Sequence, residues 1–137
     1  MKPVILSVRA EWCKLIGDRK KTIEVRKTKP KLELPFKVYI YCTKSEPLLK
    51  FNSRMWNGKI IGEFVCDKII NAKHIGGAEF TQESCMTLED WITYSDKVKG
   101  NIWCWNISEL KIYDQPKLLD EFGISRAPQD WCYTISK

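Results

Sequence analysis

One histidine, His74, is all the imidazole chemistry that 137 residues offer. The six cysteines, at Cys13, Cys42, Cys66, Cys85, Cys104 and Cys132, never approach a CxxC spacing. Zinc sites are built on close Cys/His pairs, so no metal is expected, and the even scatter argues against a disulfide framework. Most of these thiols sit in apolar stretches such as Tyr41-Cys42, Val65-Cys66 and Trp103-Cys104-Trp105, where reduced cysteine serves as a small core residue. Apolar runs are a few residues long, as in Val4-Ile5-Leu6, too short to span a bilayer. Met1-Lys2-Pro3, that run and Arg9 do not make a signal peptide. Repeats, low-complexity tracts and linkers are missing as well. The expectation is a single domain, 1–137, in the cytoplasm, taken as a monomer, with no membrane partner and no cofactor.

What is present is an ordinary globular balance, 44% hydrophobic and 29% charged, and an uneven distribution of charge. Residues 1–31 hold ten Lys/Arg against three Asp/Glu, a net of +7, while residues 32–137 sum to −1. A basic patch attracts polyanions, chiefly a nucleic-acid backbone, in a salt-dependent way; a solvated basic face with no partner has the same composition.

Pattern and punctuation predict the elements. Pro3 to Val8 reads as a buried strand and Ala10 to Ile16 as a short helix stopped at Gly17. Lys20 to Lys27 reads as a strand with Ile23 and Val25 on one face and Thr22, Glu24 and Arg26 on the other. Residues 28–35 form a proline-bearing loop, and Phe36 to Cys42 is the clearest strand. Ser45 to Gly58 is irregular, with Leu48, Phe51 and Trp56 over a core edge. Lys59 to Ile70 reads as one strand bulged at Gly62, and Asn71 to Glu83 as a long loop holding His74 and Gly76-Gly77. Thr87 caps a helix to about Tyr94. Ile102 to Tyr113 reads as a long strand bent near residues 106–108, Pro116 to Phe122 as a helix ended by Gly123, and Asp130 to Ile135 as a closing strand. Five or six strands with short flanking helices imply an α+β fold built on a small mixed β-barrel.

The segment Gly17 to Arg26 (GDRKKTIEVR) is the most suggestive chemically. Its arginine supplies a planar fork for phosphate or a base edge, and its glutamate can hold that arginine or accept from an exocyclic amine. The same residues would also make an ordinary surface salt bridge, worth ~0–1 kcal/mol. Six tryptophans are many for this length, and a base gripped by stacking contributes ~1–3 kcal/mol. Trp12, Trp56, Trp103, Trp105 and Trp131 are candidates for such a wall, although tryptophan is more often core. Trp103 and Trp105 share a strand face, so both point in or both point out. His74 could act as a general base in a ribonuclease-like reaction, or simply be exposed. The cysteines lack a paired histidine, so no thiol nucleophile is expected.

Gly17…Lys21-Thr-Ile-Glu24-Val-Arg26 resembles the G-x-K-x-x-E-x-R signature of ASCH domains, within the PUA-like superfamily. Two extra residues follow the glycine, so Arg19, Lys20 or Lys21 could take the lysine position; the register favours Lys21. The likeness continues through Gly58-Lys-Ile-Ile-Gly-Glu-Phe64, Ile107-Ser-Glu-Leu-Lys-Ile-Tyr113 and Pro128-Gln-Asp-Trp-Cys-Tyr133, as in stand-alone ASCH proteins of bacteria and their phages. The resemblance implies a PUA-like pseudo-barrel and a basic cleft between barrel and helices that takes RNA or a modified nucleotide. On that basis Arg9, Lys20, Lys21, Glu24, Arg26, Trp12 and Trp131 are the expected nucleic-acid-binding residues. Some members of the family are enzymes, either amidohydrolases acting on N4-acetylcytidine or proposed ribonucleases. If this chain were one, Lys21 would be the base, turned inward with Ile23 and Val25 by strand parity, and Glu83 the proton carrier. The strand position that carries a threonine in those enzymes holds Glu24 here, with Thr22 nearby. A phage-borne protein-interaction factor is the remaining alternative.

Overall fold

The computed structural model describes residues 2–44, 55–73 and 78–135. Leu48, Phe51, His74 and Gly76-Gly77 lie outside the described residues. Strands β1 (Val4–Val8), β2 (Ile23–Arg26), β3 (Phe36–Cys42), β4 (Lys59–Cys66), β5 (Ile69–Asn71), β6 (Trp103–Asn106), β7 (Ser108–Lys117) and β8 (Trp131–Tyr133) combine with helices α1 (Ala10–Gly17), α2 (Thr81–Ser84) and α3 (Leu88–Lys97). Among the described residues the strands form two open sheets instead of one closed barrel. One is five-stranded, in the order β7-β4-β3-β1-β8; the other is three-stranded, in the order β2-β6-β5. The α+β class is as expected.

Two strands read as single from the pattern are in fact pairs that change sheets. Lys59–Cys66 belongs to the large sheet and Ile69–Asn71 to the small one; Trp103–Asn106 belongs to the small sheet and Ser108–Lys117 to the large. The hydrophobic run is continuous in both cases because both sheets are buried. Alternation alone does not reveal which neighbour a strand takes.

β1 is parallel to β3, Val4 facing Val38 and Val8 facing Cys42. A parallel pair needs a crossover, and here the crossover contains α1 and β2. That connection lifts β2 out of the large sheet and sets it across the C-terminal end of β1, which is where the site forms. Alternation along β1 then sorts the core. Val4, Leu6 and Val8 join Val38, Ile40 and Cys42 in the cluster under α1 and the small sheet, with Trp105 at its centre. Ile5 faces the opposite side with Tyr39, Tyr113 and Phe122. The outer face of the small sheet is covered by Phe80 and Trp91. Trp103 and Trp105 share the inner face, Trp105 fully buried and Trp103 only partly buried at the edge of the same cluster. All six cysteines are free thiols, four of them buried.

Thr87 caps α3, and the cap is reciprocal: its hydroxyl accepts from the Asp90 N–H and the Asp90 carboxylate accepts from the Thr87 N–H. The end of α1 departs from expectation. Gly17 remains inside the helix, and the left-handed turn falls on Arg19, at φ 62°. Gly17 serves packing instead, since a Cβ there would meet the Trp56 ring at 3.1 Å. The helix expected over residues 116–122 is only a single 3-10 turn at Leu119–Phe122, because β7 runs on through Lys117.

Gly62 does sit at an irregularity, with register shifts on both sides of it against β7. A Cβ at Gly62 would lie 2.5 Å from the Lys111 carbonyl oxygen. Gly62→Ala is therefore expected to force β4 and β7 apart and cost about 1–3 kcal/mol, as overpacking typically does. A urea midpoint equal to wild type would show that the strands slide apart freely.

Candidate nucleotide-binding cleft

The turn after α1 decides where Lys21 goes. The Lys20 and Lys21 N–H groups both donate to the Leu15 carbonyl, the Thr22 N–H donates to the Glu83 carbonyl at 2.7 Å, and the Thr22 carbonyl accepts from Ile107. Residue 21 therefore stands just before β2, free of strand alternation. Its side chain runs to the same side as Glu24, not to the side of Ile23 and Val25 as strand parity implies. Lys21 is 2% exposed. Its ammonium donates to the Ser84 carbonyl at 2.6 Å, stands 3.3 Å from Glu24 Oε1 and lies 4.7 Å from the centre of the Trp12 ring.

Glu24 and Arg26 follow on one face of β2. In the antiparallel pairing with β6, Glu24 is opposite Trp105 and Arg26 opposite Trp103, and directly opposed residues share a face. The two charges thus point toward the tryptophan side of the core, which explains their burial. Arg26 Nε donates to Glu24 Oε2 at 3.0 Å, Nη2 donates to the same oxygen and to the Ser7 carbonyl at 2.7 Å, and Nη1 donates to Asp130 Oδ1. Asp130 is brought there by β1: the Ser7 N–H donates to the Asp130 carbonyl at 2.9 Å and the Ser7 hydroxyl to the Pro128 carbonyl at 2.7 Å. The result is a chain of alternating charge, Lys21–Glu24–Arg26–Asp130. It is not the surface salt bridge that the sequence also allowed, since Glu24 is 4% exposed.

Burial alone would push the Glu24 carboxyl up, but Arg26 and Lys21 together outweigh it and hold the pKa below the ordinary value. Arg26 mirrors this: burial works against its charge, and Glu24 and Asp130 more than offset it, so its pKa is raised. Because the Glu24 value is depressed on folding, its contribution is fully present above the unfolded carboxyl pKa of about 4.3. It is lost as pH falls through the lower folded value. The urea midpoint is expected to drop below about pH 4, and Glu24→Gln, which has no carboxyl to titrate there, is expected to show a shallower drop. Identical acid profiles for the two proteins would remove Glu24 from the account.

The network floors a cleft of about 710 Å³ between the two sheets, a size typical of small-molecule sites. Ser7, Arg9 and Trp12 enter from β1 and α1, Glu24 to Lys27 from β2, Thr43 from the end of β3, Met86 and Tyr94 from the α3 side, and Gln129 and Asp130 from the segment before β8. Arg9 has a side chain 77% exposed at the rim. The Tyr94 phenol is pushed up to about 12, mainly by burial, so it stays a hydrogen-bond donor at neutral pH.

Of the residues expected from sequence, Arg9, Trp12, Lys21, Glu24 and Arg26 line this cleft. Lys20 is exposed and outside its lining. Trp131 is not in the wall either; its indole N–H donates to Thr28 Oγ1 at 2.9 Å and its ring stands edge-on to Trp105 and Tyr133. Thr22 lines neither this cleft nor the next. Glu83 lines a second cavity of about 220 Å³ on the other face of the small sheet, with Ile23, Lys68 and Glu79. The trio expected of a hydrolase is therefore not gathered in one cavity. Sequence reasoning missed Tyr94 and Met86 altogether. Asp130 did lie within a stretch of family likeness, but nothing in the chain alone pairs it with a residue 104 positions away.

Among solved structures, a tyrosine-to-phenylalanine variant of the ASCH protein ZmASCH from Zymomonas mobilis superposes with a TM-score of 0.73 over 97% of this chain and 90% of that one, at 17% sequence identity. The chain has the fold of an ASCH domain. The structure of ASCH from the same organism without a substitution agrees, with a TM-score of 0.71 and 18% identity over 96% of this chain and 87% of that one. No protein-family model matches the sequence, and no curated protein does. None of the described helices is long and apolar enough to cross a membrane.

Proposed function

We propose that this ASCH domain binds RNA or a nucleotide in the cleft between its two sheets. The observation that carries the reading is the union in one cavity of an aromatic wall, Trp12 and Tyr94, exposed cations at the rim, Arg9 and Lys27, and a buried polar floor. Stacking on an aromatic face accepts any base, and cations at the mouth meet phosphate.

The division of labour differs from the one suggested by the motif alone. Lys21 and Arg26 have most of their donors engaged inside the protein, so they shape the floor and hold Glu24 in place. Phosphate contact falls to Arg9 and Lys27. The test is a titration of single-stranded RNA and of cytidine and N4-acetylcytidine nucleotides at several salt concentrations. Arg9→Ala with Lys27→Ala is expected to lower the slope of log affinity against log salt by about 1.4, at ~0.7 per lost phosphate contact on a single strand. Lys21→Ala is expected to weaken binding with the slope unchanged. No binding of any of these ligands at low salt would sink the reading.

A further inference from the structure

Beside the cleft lies a second hollow of about 370 Å³, lined by Lys29, Pro30, Leu32, Glu33, Leu34, Ile69 and Trp103; its one carboxylate, Glu33, is outnumbered along the adjoining strip by Lys27, Lys29 and Lys31. Two observations make it part of the same surface. Lys27 lines the first cavity and Lys29 the second, and two residues of chain span at most about 7 Å. In the small sheet, Arg26 and Trp103 are opposed partners on one face, so the arginine of the cleft floor and the tryptophan of the second hollow are side by side.

The stretch between the two cavities is both basic and fixed. Lys27, Lys29 and Lys31 are all exposed. The Thr28 hydroxyl donates to Asp130 Oδ2 at 3.3 Å and accepts from the Trp131 indole N–H, while the Lys31 N–H donates to the Tyr133 phenol oxygen at 3.0 Å. With the backbone of this strip held in place, only the lysine side chains need further ordering when a chain of phosphates lies along it. At its far end the Lys29 ammonium rests over the Trp103 ring, 5.1 Å from its centre. An exposed cation–π contact is weaker than the stacking of a base on an aromatic ring. An arriving base therefore displaces Lys29 and leaves its ammonium for the adjoining phosphate.

We propose that Trp103 with Lys29 and Lys31 forms a second nucleotide subsite, so that the ligand is a single-stranded RNA of several nucleotides running from the Trp12 cleft along residues 27–31, and not a free mononucleotide. This rests on the cleft reading and deepens it.

The experiment measures affinities for oligocytidine of one, two, four and six nucleotides, for wild type, Lys29→Ala/Lys31→Ala, Trp103→Leu and Lys111→Ala, the last an exposed lysine on β7. Affinity is expected to rise at least tenfold from one nucleotide to six. Lys29→Ala/Lys31→Ala is expected to remove most of that rise and to lower the hexanucleotide salt slope by about 1.4, with mononucleotide affinity unchanged. Trp103→Leu, which removes the aromatic face, is expected to weaken the longer oligomers alone, and Lys111→Ala none of them. Equal affinity for one nucleotide and six, or a rise that survives Lys29→Ala/Lys31→Ala, would overturn the second subsite and leave the cleft standing. Absence of binding at every length would overturn both.

Discussion

Glu24→Ala is expected to lower stability by about 3–5 kcal/mol, the usual cost of breaking a buried ion pair from one side. The carboxylate sits between two cations, Lys21 at 3.3 Å and Arg26 bound through Nε and Nη2 to one oxygen. Its removal leaves the Lys21 ammonium, 2% exposed, without its anionic partner. Arg26 keeps Asp130 and the Ser7 carbonyl, so Lys21 is the more destabilised of the two. Urea unfolding of Glu24→Ala, Lys21→Met and the double variant separates the contributions: the double variant should be less unstable than the two single losses added together, because the charges are coupled. A Glu24→Ala loss below about 1 kcal/mol would place the pair in the range of surface bridges and contradict its burial.

Trp12→Ala is expected to weaken RNA or nucleotide binding about 5- to 150-fold, the equivalent of one stacked base. Trp12 lines the cleft and lies under the Lys21 ammonium, so truncation removes both the platform and the cation's aromatic partner. Trp12→Phe keeps a π-face and should recover most of the affinity. If Trp12→Ala binds as wild type while melting at the same temperature, the base does not stack there. If Trp12→Phe behaves like Trp12→Ala, the indole has a role other than stacking.

The chemistry of the site was more legible in the chain than its geometry. Spacing put Glu24 and Arg26 on one strand face, and they are found there in mutual contact. Thr87 and Asp90 announced a capped helix, and Gly62 a bulge, because both are local devices whose partners lie within a few residues or within one ladder. Lys21 points inward as strand parity suggested, but on the Glu24 face and not beside Ile23 and Val25, since the strand begins two residues later and the turn through Arg19 resets the direction. The β-rich α+β fold was legible but its division into two open sheets was not: Cys66 to Ile69 and Asn106 to Ser108 change sheets within three or four residues, without a proline or glycine to mark the point.

By itself the sequence determined an α+β fold with a basic N-terminal quarter, a Trp103 and Trp105 pair on one strand face, and a Lys-Glu-Arg cluster akin to the ASCH signature. These follow from period, composition and nearest-neighbour chemistry, which a linear chain carries directly. Only the tertiary structure decided that the tryptophan pair faces inward, that the cluster is buried, that Asp130 completes it, that Tyr94 joins Trp12 across the cleft, and that Glu83 is directed to a different cavity. Each of those depends on which strands pair and on how β2 crosses the end of β1. Such long-range pairings are fixed by the packing of two whole sheets against one another, not by residues that are neighbours in the chain.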